Sequence, residues 1–174
     1  NRVNTNEIDK SIDDIWNKVK KKNCYCLFGT VTNRGNIFYN STIILTKDKK
    51  YIYDKCNLST LDRKHFKSGN ELSYFDIDST KFAVQMCREN AFPEQWIYLK
   101  QQGVQVVFHI NNAVSKYDSK KKHLLISRAM ENQIFVVSVN TINDYGPLAS
   151  LVIGPYGDVL YESPLHKEDI HSLN

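Results

Sequence analysis

The stretch from Phe82 to Trp96 constrains the fold more than any other part of the chain. Phe82-Ala83-Val84-Gln85-Met86 reads as a buried strand, and it runs into Cys87 with no room for a long loop before Pro93. Proline suits the first turn of a helix, because its φ is already helical and its missing N–H would have no partner there. Glu94 follows where a negative charge complements the positive helix end. The chain must therefore pass from strand to helix through a sharp turn at Cys87. Such a turn leaves backbone N–H groups able to face an anion. A cysteine there is placed for a thiolate and an oxyanion to be stabilised together. The same position also suits a small buried hydrophobe, the usual role of a free cysteine.

Hydrophobic periodicity orders the rest. Ile8, Ile12, Ile15, Trp16 and Val19 recur at helical spacing, which predicts a helix over 4–22 with Asn4 and Glu7 as a capping box. A meander of three strands follows, over 24–32, 37–46 and from 51 into Asp54-Lys55, with turns at 33–36 and 47–50. In this reading Cys24 and Cys26 share one strand face. Residues 57–70 are irregular and end in a turn at Ser68-Gly69-Asn70. Later strands are expected over 74–77, 81–87, 104–110 and 134–139, with helices over 93–102 and 121–132. Gly103 stands at the C-cap of the first of these helices. Loops cover 111–120 and 141–148, the second with a turn at Tyr145-Gly146-Pro147. A hairpin is expected over 149–153 and 158–161. A meander followed by alternating strands and helices is α/β or α+β with mixed sheets.

Composition narrows the function classes. With 174 residues, 41% of them hydrophobic and 24% charged, the chain is long enough for one domain with a sizeable core. No apolar run approaches the roughly 20 residues of a membrane span, so no membrane partner is expected. Lysine runs at Lys20-Lys21-Lys22, Lys47 to Lys50 and Lys120-Lys121-Lys122 carry much of the net charge of +4. No aromatic residues interleave with them, so they read as solvated turns and no nucleic-acid partner is expected. The spacing of Cys24, Cys26, Cys56 and Cys87 fits neither a zinc site nor a redox pair. Reduced thiols and a cytoplasmic setting follow, with no metal and no cofactor.

Lys55, like Cys87, ends a strand, and sheet proteins assemble sites at strand ends. A lysine near a cysteine favours a thiolate and can donate to a developing oxyanion. Taken alone, Lys55 reads as a surface lysine.

The combination of motifs is more specific. Phe38-Tyr39-Asn40-Ser41, Tyr53-Asp54-Lys55 with Leu58, and Phe66-Lys67-Ser68-Gly69 come first. Gln85-Met86-Cys87-Arg88-Glu89 with Phe92-Pro93-Glu94 follows, then Ser127 to Gln133 (Ser-Arg-Ala-Met-Glu-Asn-Gln), Asn140, and Ser150 to Gly157. Together they resemble the nitrilase superfamily of carbon–nitrogen hydrolases over nearly the whole chain.

The resemblance implies a four-layer α-β-β-α sandwich and hydrolysis of a non-peptide carbon–nitrogen bond through a thioester acyl-enzyme. The implied substrate is a linear amide or carbamoyl compound, and the implied assembly is a homodimer or higher homo-oligomer. Cys87 would be the nucleophile, Lys55 the cation for the tetrahedral intermediate, and the backbone N–H of Arg88 a second oxyanion donor. Asp62 stands near where members carry a further acidic residue that orients the site. Glu89, His65 and Asn111 are pocket candidates. Solvated roles compete for His65, and a turn-stabilising role for Glu89. His109 reads as a strand histidine in the core, and Arg128 with Glu131 as a helical pair in a structural role.

The family's triad glutamate lies ahead of the helix matching 4–22, so it is expected upstream of Asn1. Glu7, inside that helix, is not a substitute. Residues 1–174 then form a single hydrolase domain missing its N-terminal strand and helix. The competing reading is a nitrilase-like interaction domain without turnover.

Overall fold

A computed structural model describes residues 4–112, 120–142 and 148–172. Most of the loop expected over 111–120 and the Tyr145-Gly146-Pro147 turn lie outside the described residues. The chain divides into two compact units, Asn1–Glu71 and Leu72–Asn174.

The first unit is one helix on a three-stranded antiparallel sheet. Helix α1 (Thr5–Lys22) is capped by Asn4, whose Oδ1 accepts the Glu7 N–H at 3.4 Å. Ile12 and Val19 are its most buried side chains. They pack with Ile8, Ile15 and Trp16 against Ile43, Leu45, Cys26 and Phe28 of the sheet. Trp16 also donates its indole N–H to the Thr46 carbonyl at 2.8 Å. Asn23 ends the helix in the left-handed region, φ 48°, and the Cys24 N–H returns to the Val19 carbonyl at 3.3 Å. Capping thus uses the residues that periodicity assigned to the next strand. Strand β1 (Cys26–Arg34) begins two residues later than expected, and Cys24 is not on it.

The sheet runs in order β1, β2 (Ile37–Leu45), β3 (Lys50–Asp54). Gly35 and Asn36 both take positive φ, 58° and 69°. That is the turn that matches the right-handed twist of a two-residue hairpin, and Arg34 pairs with Ile37 across it. The second turn is held by Thr46 Oγ1, which accepts the N–H groups of Asp48 and Lys49.

The second unit is a six-stranded mixed sheet in sequential order: β4 (Tyr74–Ile77), β5 (Thr80–Met86), β6 (Val106–Asn111), β7 (Phe135–Asn140), β8 (Leu151–Ile153), β9 (Val159–Glu162). Strands β5, β6 and β7 are parallel, and the other pairings are antiparallel. Helices α2 (Pro93–Gln101) and α3 (Lys121–Asn132) supply the two crossovers that parallel pairing requires. Trp96 and Leu99 of α2 and Leu125 and Ala129 of α3 close a fully buried core with Ala83, Val107, Val136 and Leu151 of the sheet. Pro93 stands at the first position of α2, as expected, and Gly103 follows its end with φ 83°.

Candidate active site

The predicted residues fall into two clusters, one in each unit. In the first, Lys55 directly follows β3. Its N–H bonds the Asn40 carbonyl at 2.9 Å, which continues the β2–β3 ladder by one residue. Its side chain is only 3% exposed, and Nζ lies 2.6 Å from Asp62 Oδ2. Asp62 opens a short 3-10 turn, Asp62–Lys64, in the irregular segment. The same Oδ2 accepts the Ser59 N–H at 3.0 Å, and Ser59 Oγ accepts the Asp62 N–H at 3.1 Å. Asp62 Oδ1 accepts from Asn40 Nδ2 at 3.3 Å. Burial pushes the Asp62 carboxyl up, but the Lys55 ammonium and the Ser59 hydrogen bonds outweigh it and hold it below the usual aspartate range. Asp62 is therefore an anion that orients a buried cation.

The segment beyond it lies flat along the sheet. The Lys67 N–H bonds the Phe38 carbonyl and the Gly69 N–H bonds the Lys55 carbonyl, both at 2.9 Å. Gly69 forms no turn, contrary to expectation. A Cβ at this position would overlap the carbonyl oxygen of Asp54, so glycine is needed for close approach. His65 is exposed and stands edge-on to Phe66.

In the second cluster, β5 stops at Met86, one residue short of expectation, because Cys87 takes φ 47°. That left-handed conformation is uncommon for a residue with a Cβ, and such strain collects at functional sites. Cys87 opens a 3-10 turn, Cys87–Ala91, that leads into α2. The first N–H groups of such a turn, Arg88 among them, have no acceptor within it. The Arg88 side chain is exposed and lies over the Phe92 ring.

Four side chains from four elements hold this turn. Glu89, fully buried, accepts the Met86 N–H at 2.7 Å. His109 of β6, also fully buried, bonds the Cys87 carbonyl through Nε2 at 3.0 Å and Ser138 Oγ through Nδ1 at 2.9 Å. The Trp96 indole N–H of α2 bonds the Glu89 carbonyl at 3.1 Å, and Arg128 Nε of α3 bonds the Asn90 carbonyl at 3.1 Å. Arg128 also pairs with Glu131 at 2.7 Å, the helical pair the spacing predicted.

Strand register sets the surroundings. Met86 is opposite Ile110, and Ile110 opposite Val139, so Cys87, Asn111 and Asn140 fall at the carboxyl ends of three neighbouring parallel strands. Open α/β sheets bind ligands at such ends. Asn111 is 4% exposed; its Nδ2 bonds Asn140 Oδ1 at 3.2 Å, while its Oδ1 is buried with no hydrogen-bond partner among the described residues. Lys121, in the first turn of α3, brings Nζ to 3.6 Å from Cys87 Sγ.

Sequence reasoning missed Asn40, Ser59 and Lys121. Asn40 does stand inside the Phe38-to-Ser41 motif, which was a signal for it. A cavity of about 720 Å³ lies between β7, β8 and residues 163–171 and is lined by none of the predicted site residues. Among the described residues no helix is long and apolar enough to cross a membrane.

The carbon–nitrogen hydrolase family matches residues 10–172. A 2-oxoglutaramate amidase of Bacillus subtilis is 35% identical over 153 residues, covering 82% of this chain and 59% of that protein. A probable nitrilase of Schizosaccharomyces pombe is 30% identical over 145 residues, covering 80% of this chain and 53% of that protein. The chain thus spans between half and three-fifths of the length of these two relatives. Among solved structures, an amidase of Nesterenkonia sp. AN1, of the nitrilase superfamily, superposes with a TM-score of 0.86 at 18% identity, covering 94% of this chain and 68% of that one. With an antiparallel unit, a mixed-sheet unit and a family match over nearly its whole length, the chain belongs to the carbon–nitrogen hydrolases.

Proposed function

We propose that the protein hydrolyses a linear amide or carbamoyl compound with Cys87 as nucleophile. The observation that carries this reading is the backbone of Cys87: a strand-end cysteine at φ 47° in a turn held by buried polar side chains. A cysteine that served only as a small hydrophobe would need none of that apparatus. The Cys87 sulfur attacks the carbonyl carbon and gives its proton to a general base. The tetrahedral intermediate collapses with loss of ammonia or an amine, which takes a proton back, and water then cleaves the thioester. Lys55, held by Asp62, supplies the cation for the oxyanion, and the Arg88 N–H a second donor. The base is the glutamate that the resemblance implies ahead of α1. Amides are favoured over nitriles because relatives carry amidase names, a deaminated glutathione amidase of Dictyostelium discoideum among them. A mutant of a Nesterenkonia amidase holds the acetamide moiety of fluoroacetamide covalently on its active-site cysteine, which supports a nucleophilic role for the cysteine.

The test is ammonia release from simple amides by the full-length protein and by Cys87→Ala. Alanine keeps the Cβ, so the turn and the fold should persist while turnover disappears. Turnover near the wild-type rate in a folded Cys87→Ala variant would remove the assignment. A full-length protein with no turnover on any amide or carbamoyl compound would favour an interaction domain.

A further inference from the structure

We infer that the first unit carries a docking surface for an anionic phospholipid bilayer, built from the end of α1 and the β2–β3 turn. The inference is independent of the chemistry at Cys87. It begins from the distribution of charge. Asn1–Glu71 holds 14 of the 23 lysines and arginines and 8 of the 19 aspartates and glutamates, a net +6. Leu72–Asn174 holds 9 and 11, a net −2. Such an asymmetry between halves points to a polyanionic partner for the basic half.

The fold gathers this charge in one place. Lys20, Lys21 and Lys22 close α1, and Lys47, Lys49 and Lys50 lie in and just after the turn between β2 and β3. The two runs are distant in sequence and meet at Trp16. Lys20 Nζ lies 4.0 Å and Lys50 Nζ 5.0 Å from the centre of its ring. Its indole N–H bonds the Thr46 carbonyl, where the turn begins. Lysines in the last turn of a helix complement its dipole, which accounts for the first run and not for the second. Lys50 pairs with Asp13 at 2.9 Å. Among the described residues, Lys21, Lys22, Lys47 and Lys49 are exposed and have no ion-pair partner. Read run by run, these lysines are solvated turns. Brought together they repel one another, and an anionic surface relieves that repulsion.

The chemistry of the patch favours lipid over nucleic acid. All six cations are lysines, point charges without the planar fork that arginine offers to phosphates and base edges. Trp16, the ring between them, is engaged by two ammonium groups and is not a platform for a base. The lysines stand on a helix end and a turn, not along a groove, so they can meet a plane together. Lysines close to an anionic leaflet each add to the attraction without entering it. The patch is also clear of Lys55, which follows the far end of β3, roughly 17 Å away at about 3.4 Å per residue.

The test is flotation of the full-length protein with vesicles of phosphatidylcholine and phosphatidylserine at about 2:1, beside vesicles of phosphatidylcholine alone. The mixed vesicles should bind the protein, the neutral ones should not, and binding should weaken as salt is raised. Lys21→Gln with Lys22→Gln, and Lys47→Gln with Lys49→Gln, should each lower the partition coefficient ~30-fold, and all four together ~10³-fold. The same four positions changed to Arg should keep the binding. Circular dichroism checks that each variant is folded. Equal partition onto the two kinds of vesicle, or onto neither, overturns the proposal. A folded pair variant that binds like wild type overturns the single surface, because one lysine run then acts without the other. Binding to a mixed-sequence single-stranded RNA that is as tight as to the mixed vesicles, at equal phosphate concentration and equal salt, overturns the lipid assignment in favour of nucleic acid.

Discussion

His109 holds the carbonyl of Cys87 at 3.0 Å from Nε2, from β6, where its register partner is Gln85, two residues before Cys87. A carbonyl only accepts, so Nε2 carries the proton. Nothing in this contact touches the sulfur, and its effect is on where the sulfur sits.

His109→Phe should therefore lower kcat with little change in KM. A misplacement of about an ångström at a reacting group is worth ~10² in rate. Gln at the same position keeps an N–H donor and should recover part of the loss. Steady-state kinetics with a short amide separates the two parameters. A loss confined to KM, or equal losses in the Phe and Gln variants, would show that the imidazole does not position the turn.

Lys55→Met should also act on kcat. A cation aimed at an oxyanion is worth most in the transition state, and one such donor typically contributes ~10²–10³ in rate. Removing it also leaves Asp62 without its ion-pair partner, so stability should fall as well. Chemical denaturation beside the kinetics checks both. A variant that only raises KM would move Lys55 to substrate binding.

The Asp62–Lys55 pair should make stability depend on pH from the acid side. The folded-state pKa of Asp62 lies below its ordinary value. Its contribution is thus complete above the unfolded aspartate pKa of about 3.9 and is lost as pH falls through the folded value. The urea midpoint of the wild type should drop on acidification below about pH 4. Asp62→Asn should be less stable at neutral pH, because it leaves the Lys55 charge buried without its anion, and should show a shallower acid slope. Parallel acid slopes in the two proteins would place the acid sensitivity elsewhere.

Gly69→Ala should destabilise the protein by roughly 1–3 kcal/mol, the range for overpacking against a neighbour that cannot yield. The atom it meets is the backbone oxygen of Asp54, one residue before Lys55. The loss should therefore be accompanied by a fall in activity. A stable, fully active Gly69→Ala protein would show that the segment can move away without cost.

Much of this was legible in advance, for identifiable reasons. Helical spacing from Ile8 to Val19, β-branched runs in β2, and Pro93 are local signals, and local signals placed most of the elements. The errors came where one residue serves two structures. Cys24 looked like strand and is consumed by the end of α1. Gly69 looked like a turn and is a close-packing residue. The polar contacts were the hardest to read. Asn40 and Asp62 meet across 22 residues of sequence, and Lys121 and Cys87 across 34, and no periodicity reports such pairs. Lys121 looked like one of three solvated lysines because composition does not say which way each turns.

The turn around Cys87 has a consequence for the order in which the protein is made. Its backbone is tied to side chains that lie 7, 22 and 38 residues away along the chain: Trp96 to Glu89, His109 to Cys87, and Arg128 to Asn90. Synthesis runs from the amino end, so the cysteine is made before Arg128 is. A nascent chain holds an ordinary thiol on an unformed loop. The shape that sets Cys87 apart is complete only after α3 has docked, which makes it a late product of folding.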